Sequence, residues 1–376
     1  MSDLEIVPVE GRALLDRFIR LPKRLHRADP AYVAPLDLER RDALTPKNPF
    51  FAHADVQFWL ARRDGRDVGR ISAQIDHQAL AVRPDATGLF GMIAAEDDPA
   101  VFAALVETAA AWLRGRGMQR MQGPFNLNIN EETGLLVAGF ETPPMLLMGH
   151  DLPYVGPRLE ALGLRRIKDV LAYLYDVRVD LPASARRLLA RPLPAELAVR
   201  RLDLRRYHEE VRSITAIFND AWADNWGFVP LSESETEYLA KSLRPLIDPR
   251  LVSIVELRGE KVGFLVCLPN LNEAIRDLGG RLLPFGWARL LWRLKVAGVR
   301  TARVPLMGVR RAAQQGMIGK LLPFLLIDQV RRDAAGMGFT HVELSWILED
   351  NLPMRHINES LGGVAYKTYR IYERAL

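Results

Sequence analysis

The chain of 376 residues has one cysteine, Cys267. A single thiol excludes an internal disulfide framework and a thiolate zinc cluster, and it points to a reducing compartment. Long hydrophobic runs are missing as well. No stretch reaches the ~18 apolar residues that cross a bilayer, so a membrane-spanning chain is not expected. The first residues, Met1-Ser2-Asp3-Leu4-Glu5, lack the basic and apolar regions of a secretory signal, and a cytoplasmic location follows as the expectation. Charge of one sign is scarce too. Basic residues exceed acidic ones by only five and are scattered, so a pI near 9.4 gives no phosphate-tracking face, and nucleic acid is not an expected partner. What is present is ordinary globular composition, 49% hydrophobic and 26% charged, in a chain too long for one compact core. Two domains are the natural division.

The hydrophobic pattern reads as two passes through one mixed α/β order. Strand-like runs at 4–8, 56–61, 68–75, 89–93, 119–123 and 170–177 alternate with helical runs at 14–26, 99–115 and 151–162. Asp98-Pro99 supplies an N-cap and a first-turn proline for the second of these helices. A segment rich in proline and arginine, 181–196, reads as the linker between a domain at 1–180 and another at 197–376. The second pass has strands at 197–202, 252–257, 262–267, 302–309 and 341–347, helices at 207–222, 232–246 and about 318–335, and a final helix and strand. The expected fold class is therefore α/β with two tandem copies of one domain.

Two local motifs carry chemistry. Between the strand ending at Val309 and the following helix lies Arg310-Arg311-Ala312-Ala313-Gln314-Gln315-Gly316-Met317-Ile318-Gly319-Lys320. A glycine-bearing turn into a helix exposes backbone N–H groups where the helix dipole favours a phosphate. The second motif is Asn351-x-Pro353-x-Arg355, a short helix, Leu361-Gly362 and a last strand, beginning 35 positions after Gly316. Together and in this order the two motifs resemble the GNAT acyltransferases, whose glycine loop reads Gln/Arg-x-x-Gly-x-Gly/Ala. Here the loop has one residue more before its second glycine.

The resemblance implies an acyl-CoA co-substrate, with no permanently bound cofactor and no metal. It implies that the backbone of Met307, Gly308 and Val309 pairs with the pantetheine arm, that Gln314, Gln315, Gly316, Met317, Ile318, Gly319 and Lys320 hold the pyrophosphate, and that Asn351 belongs to the same site. The family often has a tyrosine acid where this chain has Asn358, which cannot donate a proton at a useful pKa. Tyr366, Tyr369 and Tyr372 lie just beyond; Tyr369 is the candidate carried forward, against a plain packing role. Glu343 on the strand beside the expected thioester site and Glu349 at its end are candidates for the base.

In the first half, Glu96, Asp97 and Asp98 stand where the second has its glycine loop, and three carboxylates repel a pyrophosphate. That half is expected to have lost CoA binding. Its segment Gly123-Pro124-Phe125-Asn126-Leu127-Asn128-Ile129-Asn130 puts three asparagines at spacing two. They either order a polar head group, with Asn128 central, or serve turn chemistry. His150-Asp151 reads as a helix cap or as a catalytic histidine. Trp222-Ala223-Asp224-Asn225-Trp226-Gly227-Phe228 falls where the family lines its acceptor site, so Asn225 and Trp226 are substrate candidates by that resemblance.

Residues 268–301 form an insertion longer than a hairpin needs. Within it, Trp287, Leu290, Leu291 and Leu294 on a helix oppose Arg289 and Arg293. This suits docking on the inner membrane surface, a cover over a long acyl chain with Trp287 in contact, or an ordinary core or dimer contact. With the tandem halves, this combination resembles a bacterial family that includes the acyl-CoA-dependent ceramide synthases. That resemblance implies N-acylation of a sphingoid-base amine by a long-chain acyl-CoA; acetylation of a small polar amine and a non-catalytic binding role are the alternatives.

Overall fold

The computed structural model describes residues 4–376, which divide into two compact units. Residues 4–170, 275–291 and 367–376 build the first, and residues 171–274 and 292–366 the second.

In the first unit the order is β1 (Leu4–Pro8), α1 (Gly11–Leu25), α2 (Asp37–Ala43), β2 (Ala54–Arg63), β3 (Arg66–Asp76), α3 (His77–Val82), β4 (Thr87–Ala95) and α4 (Pro99–Arg114). There follow β5 (Arg120–Gly123), a two-stranded ribbon of β6 (Phe125–Asn126) and β7 (Glu132–Thr133), β8 (Leu135–Ala138), α5 (Val155–Ala161) and the start of β9 (Arg165–Asp176). Asp98 caps α4 by accepting from the Ala100 N–H, with Pro99 in the first turn as its missing donor permits. Strands β1 to β4 pair antiparallel in sequence order, while β4 and β5 run parallel. One face of β3 carries Ile71, Ala73 and Ile75 into a core closed by Val101, Leu105 and Ala109 of α4. Gly69 is required on that face, because a Cβ there would meet Leu105, Ala95 and Val101 at 2.8–2.9 Å.

In the second unit come the remainder of β9, α6 (Ala183–Leu189), β10 (Leu197–Arg201), α7 (Tyr207–Ala221), α8 (Glu233–Leu243), β11 (Val252–Leu257) and β12 (Glu260–Pro269). The insertion holds α9 (Leu271–Ile275) in this unit and α10 (Gly286–Trp292), whose residues up to Leu291 belong to the first. Then follow β13 (Thr301–Val309), α11 (Gly316–Gly336), β14 (His341–Leu348), α12 (Leu352–Ser360) and β15 (Val364–Ala375). The sheet order is β9-β14-β13-β12-β11-β10, with β13 and β14 parallel and β10 to β13 antiparallel. Ser232 and Glu235 form a reciprocal capping box at the head of α8. Cys267 is fully buried in this core, and burial pushes its thiol up to about 12, so it behaves as a small apolar residue.

Three features depart from the sequence pattern. The segment 181–196 contains α6, whose Ala185 joins Leu181 in the second core. The last strand changes unit: from Lys367 onward β15 belongs to the first, where it pairs antiparallel with β5 and β8. Residues of β9 from Leu171 onward belong to the second. Local periodicity marks a strand but not the sheet it joins, so this exchange leaves no trace in the pattern.

The exchange has a stability consequence. Tyr372, fully buried in the first unit's core, donates a hydrogen bond to Glu160 at 3.1 Å. Tyr372→Ala should cost about 3–5 kcal/mol, the range for emptying an aromatic core position. Urea unfolding followed through Trp59 and Trp112 should show the loss, and an unchanged midpoint would mean that the chain's end does not close this core.

Candidate active site

The parallel pair β13/β14 is in register only from Thr301↔His341 to Val304↔Leu344. The next residue, Pro305, has no N–H to extend a ladder. On the other side, β13 faces β12 through a bulge: between Val266↔Leu306 and Leu268↔Arg303, both Val304 and Pro305 stand opposite Cys267 alone. A bulge bends its strand and increases the local twist. Beyond this point β13 and β14 part, and a cleft of about 650 Å³ opens between them. Met307, Gly308 and Val309 line one wall, Ser345 to Leu348 the other, and Gly319, Lys320 and Pro323 of α11 the end.

That end is built for an anion. α11 has 21 residues and its N-cap, Gln315, makes no side-chain cap, so the first-turn N–H groups keep their capacity. Gly316 enters the helix at φ +73°, which a side chain would oppose. Gly319 lies so close to the backbone of Ala313 and Gln314 that a Cβ would overlap it. Gln314 fixes the loop by donating from Nε2 to the Val309 carbonyl at 2.8 Å. Lys320 lines the cleft and has no ion pair among the described residues. Arg311 is instead held by Asp224 at 3.1 Å and Asp220 at 3.5 Å, and the Asp224 hydrogen bond raises its pKa further. Pro323 lies well inside the helix rather than in its first turn, and cannot donate to the Gly319 carbonyl. Met317 is exposed, whereas Ile318 packs on the core.

The Asn-Pro-Arg motif shapes the opposite rim. Asn351 lines the cleft and caps α12 by accepting from the Met354 N–H, and Pro353 occupies the first turn. Arg355 donates to the Glu349 carbonyl at 2.8 Å and to the Tyr173 hydroxyl at 3.2 Å, fixing the end of β14.

The other predicted residues are dispersed. Glu343 is fully buried and does not line the cleft: it accepts from Ser345 and Tyr366 and lies 3.4 Å from Arg303, itself 3% exposed. Ser345 is the member of this cluster that reaches the cleft. Asn358 is buried, with neither side-chain atom partnered among the described residues, and it does not line the cleft. Tyr369 belongs to the first unit, paired with Leu136 across β8. Tyr366 is the tyrosine that meets the candidate base. Asn225 lines the cleft and Trp226 does not. Trp222, the unchosen neighbour, donates from its indole to the Met307 carbonyl at 2.9 Å and packs edge-on against Trp346. Asn128 is buried in the first unit, accepting from the Asn130 N–H in a local turn. Trp287 is half exposed on α10. Ser345, Arg303 and Trp222 were missed because each depends on a non-local neighbour; the bulky Trp222 alone had a signal, its place in the aromatic stretch.

The first unit has a corresponding parallel pair, in register from Thr87↔Arg120 to Leu89↔Gln122. Its opening is filled by the chain itself. Asn126 accepts the Met92 N–H at 2.8 Å, and the Phe125 carbonyl occupies the space where a Cβ on Gly91 would lie. The three carboxylates at the adjoining turn are each taken by arginine: Glu96 by Arg24 and Arg66, Asp97 by Arg158, Asp98 by Arg63.

The Arg303–Glu343 pair should behave as buried pairs do. Glu343→Ala should cost about 3–5 kcal/mol by stranding the guanidinium, and adding Arg303→Met should restore most of that loss. Chemical denaturation of the single and double variants checks this; a double variant no more stable than the single would refute the pairing.

No protein-family model matches the chain. It is 56% identical over 379 aligned positions to the bacterial ceramide synthase of Caulobacter vibrioides, covering 100% of this chain and 98% of that protein. It is 44% identical to protein YghO of Escherichia coli, covering 96% and 93% of the two chains. Among solved structures, a tandem GNAT protein from the clavulanic acid biosynthesis pathway superposes with a TM-score of 0.57 at 15% identity, covering 99% and 98%. A GCN5-related N-acetyltransferase from Sphaerobacter thermophilus gives 0.55 at 13% identity, covering 99% and 95%. These two show the fold, and the full-length identity shows the relationship: the chain belongs to the bacterial ceramide synthase family, N-acyltransferases built on a tandem GNAT fold.

Proposed function

We propose that the protein transfers a long-chain acyl group from acyl-CoA to the amine of a sphingoid base. The observation that carries the CoA part is the cleft between β13 and β14, closed at one end by the uncapped start of α11. In this reading the first-turn N–H groups of α11 and Lys320 take the pyrophosphate, and Met307 to Val309 take the pantetheine amides. The thioester lies near Ser345, where the strands begin to part. The acceptor ammonium first loses a proton to solvent; its nitrogen attacks the thioester carbonyl carbon, the adduct nitrogen gives up a second proton towards Ser345 as the C–S bond breaks, and CoA leaves as a thiolate that takes up a proton. Glu343 is screened from the cleft, so it acts through Ser345: a proton received at Oγ is matched by the one Ser345 already shares with the carboxylate. Tyr366, hydrogen-bonded to the same carboxylate, is the proton donor of this cluster.

The lipid part rests on the named relative at 56% identity and on the insertion. No helix of the described residues is long and apolar enough to cross a membrane. Yet within the first unit Leu283 and Phe285 are 78–80% exposed, with Trp287 and Leu291 about half exposed, near Arg281 and Arg289 in the sequence. Apolar side chains interleaved with cations suit an anionic bilayer surface.

Free-thiol release should be measured with palmitoyl-CoA or acetyl-CoA against sphinganine or spermidine. Release is expected with palmitoyl-CoA and sphinganine; release with acetyl-CoA alone would move the function to a small-amine acetyltransferase, and none with any pair to a binding role. Gly319→Val should weaken CoA binding at least about tenfold, because the loop must open around the new side chain. In flotation with phosphatidylglycerol vesicles the protein should rise with the lipid, and the Leu283→Asp/Phe285→Asp variant should stay behind. Equal behaviour of the two would remove the membrane assignment.

A further inference from the structure

The first unit carries a cluster of metal-ligating side chains that the acyl-transfer cleft does not use. Helix α1 ends on His26 as its C-cap, and the chain turns there, the Asp29 N–H donating to the His26 carbonyl at 2.9 Å. His150, 121 positions after Asp29 and between β8 and α5, reaches the same carboxylate. One ligand atom of each residue lies within 4.8 Å of the other two. The side chains of His26 and His150 are 4% and 1% exposed and that of Asp29 is 18% exposed, so the carboxylate is the side open to solvent.

Hydrogen bonding accounts for part of this arrangement. His150 Nε2 lies 2.8 Å from Asp29 Oδ2, and Asp29 Oδ1 accepts from the Ala31 N–H at 2.9 Å. His26 Nδ1 is aimed at the oxygen that His150 already holds, at 3.4 Å, outside the usual N–H···O range of about 2.7–3.2 Å. A buried imidazole so placed gains little from a proton between it and the carboxylate. It is well placed for an ion: bonds of about 2.0–2.1 Å in a tetrahedral set put neighbouring ligand atoms about 3.3 Å apart. The two contacts, 2.8 and 3.4 Å, bracket that spacing. His26 is kept in position by its parallel stack on Tyr32, with ring centroids 4.2 Å apart. His150 Nδ1 is buried with no partner among the described residues, so no bond on the far side of that ring opposes a small turn onto the ion.

The charge states suit an ion as well. Burial, with Arg70 adding to it at His26 and Lys367 at His150, holds the two imidazoles below the ordinary histidine range, His26 at about 4. Against its own burial, Asp29 is held below the ordinary carboxylate range by the His150 hydrogen bond. At neutral pH the set is therefore two neutral imidazoles and one carboxylate, the protonation that metal ligands need. Two nitrogens and one oxygen select against Mg²⁺ and Ca²⁺, which take oxygen ligands, and suit Zn²⁺, with a fourth position left for water. The GNAT resemblance calls for no metal in the acyl-transfer cleft, and this cluster shares no residue with that cleft.

We propose that His26, Asp29 and His150 bind one Zn²⁺ ion, which ties the end of α1 to the segment leading into α5. The site does not rest on the acyl-transfer reading. The full chain, stripped of metal, is titrated with Zn²⁺ in competition with a chromophoric chelator, and with Co²⁺ read by visible absorption. One Zn²⁺ per chain is expected, with the intense d–d bands of four-coordinate Co²⁺ and a melting temperature that Zn²⁺ raises by binding the folded state. Asp29→Asn keeps an acceptor for His150, and so the metal-free melting temperature, yet should weaken Zn²⁺ at least about tenfold, the loss that even an outer-shell partner causes; His26→Ala should do the same. His77→Ala, which removes an exposed histidine beside Asp55 outside the cluster, should change nothing. Less than one Zn²⁺ per chain, or Asp29→Asn and His26→Ala chains that bind Zn²⁺ as the parent does, would show that the three residues form a hydrogen-bonded cluster only and overturn the site.

Discussion

The parting of β13 from β14 at Pro305 is the constraint on which the rest of the site depends. Parallel strands that stayed in register would satisfy each other's backbone and leave nothing for a ligand. A residue without an N–H, placed at a two-against-one bulge, ends the pairing after Val304↔Leu344 while β12 still holds β13 on its far side. One wall of the cleft is thus rigid, and the other is fixed separately by Arg355, which ties the end of β14 to α12 and Tyr173. The anion end follows from the same geometry. β13 leads directly into the Gln314 loop, and Gln314 binds back to Val309, so the start of α11 is set by the strand that forms the cleft wall.

The same architecture in the first unit shows what happens when the opening is not kept. Its parallel pair also stops early, after Leu89↔Gln122, but the chain after β5 returns into the gap and Asn126 takes the Met92 N–H. A backbone group that would otherwise meet a ligand is satisfied internally. Arginine pairing of Glu96, Asp97 and Asp98 then turns the adjoining loop into a salt-linked surface. The asparagine row is explained in the same way. Asn126 fills the opening and Asn128 closes a turn, both local roles for residues that form short side-chain to backbone bonds.

Much of this was legible in the sequence, for reasons that can be named. Strands and long helices are announced by period and caps, as with Asp98-Pro99. The glycine loop and the Asn351-Pro353-Arg355 run are local motifs whose meaning survives without tertiary context. What could not be read depends on distant residues. Tyr366 rather than Tyr369 meets Glu343 because residues from Lys367 onward in β15 belong to the other unit, and a strand's periodicity says nothing of its sheet. Glu343 read as a candidate base on the strand beside the thioester; Arg303, one strand over in register, and Ser345, two residues on, close it off. The Gly319 requirement was visible as a glycine, but not that the Ala313–Gln314 backbone is what it accommodates.

These misses share a direction. Sequence reading finds groups that could do chemistry and overrates those with the most familiar side chain, whereas burial decides which can meet a substrate. Glu343 is enclosed and stays out of the cleft, while Trp222 and Lys320 reach it directly.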